Sequence, residues 1–323
     1  MKKTLLLISV LFFFISNIFS APVWVTDQGR RKAFPETEYI SGLGTAFNEQ
    51  SAKNKAASTI SEYIKTEVSS STQSRYSATE KAGKVTEESF LEEEVSLISN
   101  SDLYALEYTE VWKEEDTGRF YCVAYIEKAS AWKIVKQKLE RISLDVVSLM
   151  EGAEEERFGF WKTLRYGEAA AKEKEFYSLY DFANLVNKTG LKNFSSCAQN
   201  IQTAKNILLQ NKSTEKVLLK VQNDKNATVY RALASYFEAN GFTVSDERGK
   251  YICDAVVTVE IRNDKSSYVS YPGLTLCVSD VFGTQFASYN TTANKTVAFN
   301  KDSTTEKAYR TLEKACEKIE WIK

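Results

Sequence analysis

Histidine is absent from all 323 residues, and that absence excludes more function than any motif present. Ser-His-Asp and Cys-His catalysis need an imidazole to move the proton, and histidine-ligated metal sites need it as a donor. Thiolate zinc sites fit poorly too. The five cysteines, Cys122, Cys197, Cys253, Cys277 and Cys316, form no CxxC pair, whereas structural zinc takes closely spaced ligands. An excess of either charge is also missing. The 42 Lys and Arg stand against 43 Asp and Glu, so the balance does not point to nucleic acid or an anionic membrane as a general partner.

Proline is scarce. Two of the three, Pro22 and Pro35, fall in residues 21–37, an aperiodic extended stretch in which Trp24 and Phe34 are the expected anchors onto the first domain. One long apolar run exists, Leu5 to Phe19 behind Lys2 and Lys3. Its length suits a signal-peptide core and is short for a bilayer span, so residues 1–20 read as a signal peptide cut after Ser20. No cysteine lies near that point, so the expectation is an exported protein, periplasmic or outer-envelope associated, not lipid-anchored and with no stable membrane span after cleavage. The cysteines themselves sit in apolar strings such as FYCVAYI, YICDAVV and LTLCVSD, which describes buried thiols. A Cys253–Cys277 disulfide across neighbouring strands is the alternative.

What is there reads as α+β: two α+β domains, each a helix packed on an antiparallel-rich sheet, flanking a helical hairpin segment. In the domain at 21–130, Tyr39 and Ile40 lead into Gly42-Leu43-Gly44, read as a structural turn, and Asn48 can cap a helix. Ala52, Ala56, Ile60 and Ile64 recur every fourth residue, which predicts a helix with a narrow face able to lie close on a sheet. A strand leaving the helix near residue 66 and a solvated loop over Ala78–Glu88 are expected next. Leu106 and Tyr108 alternate on one strand and Phe120, Cys122, Ala124 and Ile126 on another, with the turn at Lys113–Gly118. Both faces of the second strand are apolar, so it should be central.

From Ser130 the period becomes three and four: Trp132, Val135, Leu139, Ile142, Val146 and Leu149. With later stripes on Phe158–Leu164, Phe176–Val186 and Ile201–Leu208, this gives the helical segment 131–211. The C-terminal α+β domain, 212–323, begins with a strand at Val217–Val221. A helix ending at Gly241, a meander from Ala255 to Phe299 and a last helix follow. That helix has a Ser303/Glu306 capping box and the face Ala308, Leu312, Cys316 and Ile319.

At Trp24, Phe34-Pro35, Tyr39-Ile40-Ser-Gly-Leu-Gly44 and the spaced alanines, then at Leu106–Trp112 and Phe120–Ile126, the chain resembles the LPP20-like lipoprotein domain of bacterial envelopes. It also resembles the N-terminal domain of the flagellar T-ring protein family. The wider layout is similar to exported spirochaete members of the group. The resemblance implies an envelope location, an α+β fold and no catalytic residues.

No enzyme chemistry is expected, and no catalytic, cofactor-binding or metal-ligating residue is assigned. Gly42-x-Gly44 lacks the third glycine and the Gly-Lys-Ser/Thr of phosphate loops, so close backbone packing is its favoured role. Tyr268 and Tyr271, on the expected loop YVSYPGL, are a possible interaction surface. The functional expectation is a non-enzymatic exported envelope protein that binds or assembles envelope structures, with an envelope protein or peptidoglycan-associated partner and no nucleic acid. The alternatives are a carboxylate-based hydrolase of envelope polysaccharide, using acids such as Glu92–Glu94, Glu114–Glu115 or Glu154–Glu156, and a soluble small-molecule receptor.

Overall fold

The computed structural model describes residues 21–79, 105–264 and 266–323. The signal segment, the Glu92–Glu94 acids and most of the Ala78–Glu88 loop lie outside them. Contacts gather into two units, Met1–Ile142 with Lys174–Ser195, and Ser143–Glu173 with Ser196–Lys323.

The first unit opens with a short 3-10 turn, Val23–Val25, and helix α1, Asp27–Ala33, which Thr26 caps through Gly29 N at 3.1 Å. Strand β1 (Tyr39–Ala46) pairs antiparallel with β4 (Phe120–Glu127), and β4 in turn with β2 (Leu106–Tyr108) and β3 (Trp112–Lys113). β4 is therefore central, as its two apolar faces require. Phe34 anchors the N-terminal stretch as expected, its ring 4.8 Å from that of Tyr125 and 5.6 Å from that of Tyr39.

Helix α2 (Glu49–Thr79) covers the face of β1 formed by Ile40, Gly42, Gly44 and Ala46. Asn48 caps it, accepting from Ser51 N at 2.8 Å. Two expectations change here. Gly42 and Gly44 are in the strand, not in a turn. Their role is close approach: a Cβ on Gly44 would stand 2.0 Å from the Ala52 carbonyl oxygen, and one on Gly42 2.8 Å from that of Ala56. The helix also does not give way to a strand near residue 66. Val68 extends the stripe of Ala52, Ala56, Ile60 and Ile64 by another turn, all five buried, and burial of that face outweighs the weak helix propensity of the Ser and Thr around it.

Residues 128–211 hold four helices: α3 (Lys128–Glu155), α4 (Gly159–Ala171), α5 (Glu173–Asn187) and α6 (Ser195–Asn211). The chain passes from one unit to the other within α3. In the first unit Trp132 of α3 meets Phe194 at 6.4 Å, and Phe176, Phe182 and Ala183 of α5 are fully buried.

The second unit has a five-stranded sheet, β11-β10-β7-β5-β6, and a three-stranded one, β12-β9-β8. The strands are β5 (Lys216–Gln222), β6 (Thr243–Ser245), β7 (Tyr251–Thr258), β8 (Ile261–Asp264), β9 (Ser267–Ser270), β10 (Gly273–Asp280), β11 (Gln285–Thr292) and β12 (Thr296–Ala298). β5 runs parallel to β6 and β7 and every other pair is antiparallel. The parallel pair is closed by helix α7 (Thr228–Ala239), the crossover that parallel strands need. Helix α8 (Lys301–Cys316) packs on α7 and on the small sheet. Phe160 of α4 is the hub of the core: fully buried, with the rings of Phe242, Tyr251, Phe286 and Trp321 all within 5.7 Å of its own.

Two details correct the sequence reading. The cap of α8 is Asn300, whose side chain accepts from Ser303 N at 2.8 Å. Ser303 is one turn inside the helix, because two cap-competent residues stand three apart and the first one ends the preceding extended backbone. The cysteines of β7 and β10 cannot pair. Cys253 lies opposite Val278 and Cys277 opposite Asp254, so the two thiols sit on opposite faces of the sheet, and all five cysteines are free.

Candidate functional site

The two tyrosines expected to mark a surface separate. Tyr268 is half-buried within β9, and Tyr271 is 54% exposed just beyond it. More of the exposed apolar surface is elsewhere.

The most distinctive surface is where β1 ends and α2 begins. Phe47 precedes the cap residue Asn48. An apolar residue there ordinarily packs on the fourth helical residue, here Ala52. Ala52 is already sealed against Gly44, so Phe47 turns outward and is 75% exposed. The Arg119 guanidinium, at the start of β4, sits over its ring at 5.6 Å. Together with Thr45, Ala46, Asn48, Ser51 and Lys55 they line a hollow of about 410 Å³. Among the described residues no carboxylate lines it. Nearby Glu114 is occupied, accepting from the Tyr121 hydroxyl at 3.1 Å and from Thr117. The hollow therefore offers two cations, two hydroxyls and an aromatic face to solvent.

A second hollow, of about 460 Å³, lies between α7 and α8. It is a mixed-charge groove: Lys225, Arg231 and Arg310 face Asp302, Glu306 and Glu313, and Arg310 is paired with Glu306 at 2.6 Å. The turn beside it is conformationally unusual. Asn223, Asn226 and Ala227 all have positive φ, 60°, 63° and 52°, which costs energy without glycine. The Tyr309 hydroxyl holds it, donating to Asn223 O at 2.8 Å and accepting from Lys225 N at 3.1 Å. Asp224 fixes the start of α7 through Val229 N and Tyr230 N.

At the β10–β11 turn Val281 and Phe282 are 58% and 90% exposed. Asp280 closes the turn, its Oδ1 accepting from Phe282 N and Thr284 N, both at 2.9 Å.

Of the acids suggested for hydrolysis, Glu154 and Glu156 are engaged and held ionised. Glu154 accepts from Tyr166 and Lys162, and these bonds lower its pKa. Lys323 and Arg165 do the same for Glu156 against a desolvation that opposes them. A general acid needs the opposite shift. Burial does raise Glu168, but Arg165 and Lys172 oppose it. The buried Glu215 carboxylate is closed off by Lys250 and the Tyr251 hydroxyl, which fill the space a side chain on Gly159 would need. Among the described residues no cluster could hold a metal ion, and no helix is long and apolar enough to cross a membrane.

Sequence reasoning did not single out Phe47 and Arg119. The one local signal was an apolar residue directly before a cap whose fourth helical residue is a small alanine.

Residues 22–127 match the LPP20 lipoprotein family. No curated protein matches the chain. Among solved structures, a minor lipoprotein from Acinetobacter baumannii is 15% identical, covering 32% of this chain and 86% of its own, at a TM-score of 0.26. A secreted protein of Helicobacter pylori is 14% identical over 86% of this chain and 97% of its own, at 0.31. The PelC dodecamer from Paraburkholderia phytofirmans is 12% identical over 32% and 81%, at 0.21.

Proposed function

We propose that this chain, which has an LPP20 domain at residues 22–127, is an exported, non-enzymatic protein of the cell envelope that works by binding or assembly. The domain match is the observation that supports this reading. The apolar run behind Lys2 and Lys3 agrees with export, and the partner is an envelope protein or a component associated with peptidoglycan. The reading has no lipid on cysteine: Cys122, which falls in the matched stretch, is fully buried in the central strand β4. The ionised, engaged states of Glu154 and Glu156 and the closed surroundings of Glu215 argue against the polysaccharide hydrolase.

Fractionation of cells making the native chain, after mild crosslinking, tests the reading. The expected result is processed protein in the periplasmic or outer-envelope fraction, in the aqueous phase of a detergent partition, crosslinked to an envelope component. Recovery of the unprocessed chain from the cytoplasm would sink it, and partition into the detergent phase would overturn the claim about lipid.

A further inference from the structure

We propose that the hollow beside Phe47 binds an acidic saccharide, a sugar ring bearing a carboxylate or a phosphate. Charge comes first. Lys55 reaches it from α2 and Arg119 from the start of β4, while among the described residues no lining side chain is acidic. The groove between α7 and α8, by contrast, balances its own charges. Arg119 also has no carboxylate within ion-pair distance among the described residues; its guanidinium lies over the Phe47 ring. An arginine set over an aromatic ring keeps its N–H edges free to donate in pairs to a carboxylate or phosphate.

Shape and polarity narrow the class. The Phe47 ring is 75% exposed and offers an apolar surface on which the C–H face of a sugar can rest. Thr45, Ser51 and Asn48 around it supply short side-chain donors and acceptors suited to ring hydroxyls. The volume, about 410 Å³, falls in the range of small-ligand sites. The end of α2 adds little by itself, since Asn48 already takes the Ser51 amide. Choosing a saccharide among anions rests on the envelope reading; that an anion binds does not.

The test is titration of the purified mature chain with tetragalacturonate, galactotetraose, glucosamine 6-phosphate and inorganic phosphate, read by calorimetry and amide chemical shifts. Saturable binding of an acidic sugar is expected, with shifts at residues 45–55 and 119 and no binding of the neutral oligomer. Arg119→Gln and Lys55→Gln should each weaken it by ~10-fold, a change of one ion pair, and Phe47→Ser should weaken the sugars more than inorganic phosphate. All three side chains are exposed, so the fold should survive; if Arg119→Gln does not fold by circular dichroism, Lys55→Gln decides. No binding of either acidic sugar at millimolar concentration overturns the proposal, as does equal binding of galactotetraose. Inorganic phosphate binding as tightly as the sugar phosphate also overturns it, leaving a simple anion site. None of these outcomes depends on where the protein is found in the cell, so the envelope reading stands or falls separately.

Discussion

The Ala52 carbonyl oxygen occupies the space in which Gly44 would carry a side chain, 2.0 Å from where a Cβ would be. Both partners are backbone, so neither can step aside. Gly44→Ala should therefore force α2 off β1 and cost about 3 kcal/mol, at the upper end for overpacking. Gly118→Ala is the control. Its φ is +65° and nothing lies near its missing Cβ, so only the left-handed backbone is penalised, by about 1 kcal/mol. Urea denaturation of the two variants should show the difference as a larger fall in midpoint for Gly44→Ala.

Much of the architecture could be read from periodicity, and its failures have physical causes. β4 was legible as central because both its faces are apolar, and the last helix because Ala308, Leu312 and Cys316 repeat at helical spacing and are buried; Ile319, read as the next residue of that face, is buried beyond the helix end at Cys316. Gly42 and Gly44 were correctly given a packing role and wrongly put in a turn. A missing side chain serves a tight turn and a close helix equally well, and sequence does not say which. The pairing of Cys253 and Cys277 turned on parity: one position in register moves a side chain to the other face, and register was not visible. The cationic hollow was illegible because Phe47 and Arg119 are distant in sequence and meet only through the pairing of Ala46 with Phe120.

The cap of α8 gives a paired prediction. Asn300 accepts from Ser303 N, so Asn300→Ala leaves that amide unpaired and should cost about 1 kcal/mol. Ser303→Ala removes no capping bond and should change stability by less than about 0.5 kcal/mol. The reverse order in chemical denaturation would restore Ser303 as the cap.

Thiol titration tests the burial and the free state of the cysteines together. Cys122, Cys197, Cys253 and Cys316 are buried and Cys277 is intermediate. Desolvation raises the buried thiols, that of Cys316 to about 12, so almost no thiolate is available to react near neutral pH. The native protein should titrate at most one thiol with a disulfide-exchange reagent at pH 8, and the unfolded protein five. Three in the unfolded protein would mean a disulfide had formed, contrary to the register of β7 and β10.

Acid should loosen the end of the second unit. Glu156 accepts from Lys323 Nζ at 2.5 Å and from Arg165 Nε at 3.1 Å. The Lys323 bond is the main reason its pKa falls below the usual 4.5, with burial opposing and Arg165 assisting. Because the folded pKa is depressed, the stabilisation is fully present above about 4.5 and is lost as pH falls below that value towards the folded pKa. Lys323 also lies 5.0 Å over the Trp161 ring, and Trp321 beside it donates its indole N–H to Tyr236 at 2.8 Å. Release of Lys323 should therefore change indole fluorescence in that acid window. In Glu156→Gln the component should disappear. Glu154, also depressed by Tyr166 and Lys162, is present in both proteins and cancels in the difference between them. An unchanged fluorescence titration in the variant would show that the Glu156–Lys323 pair does not hold the segment.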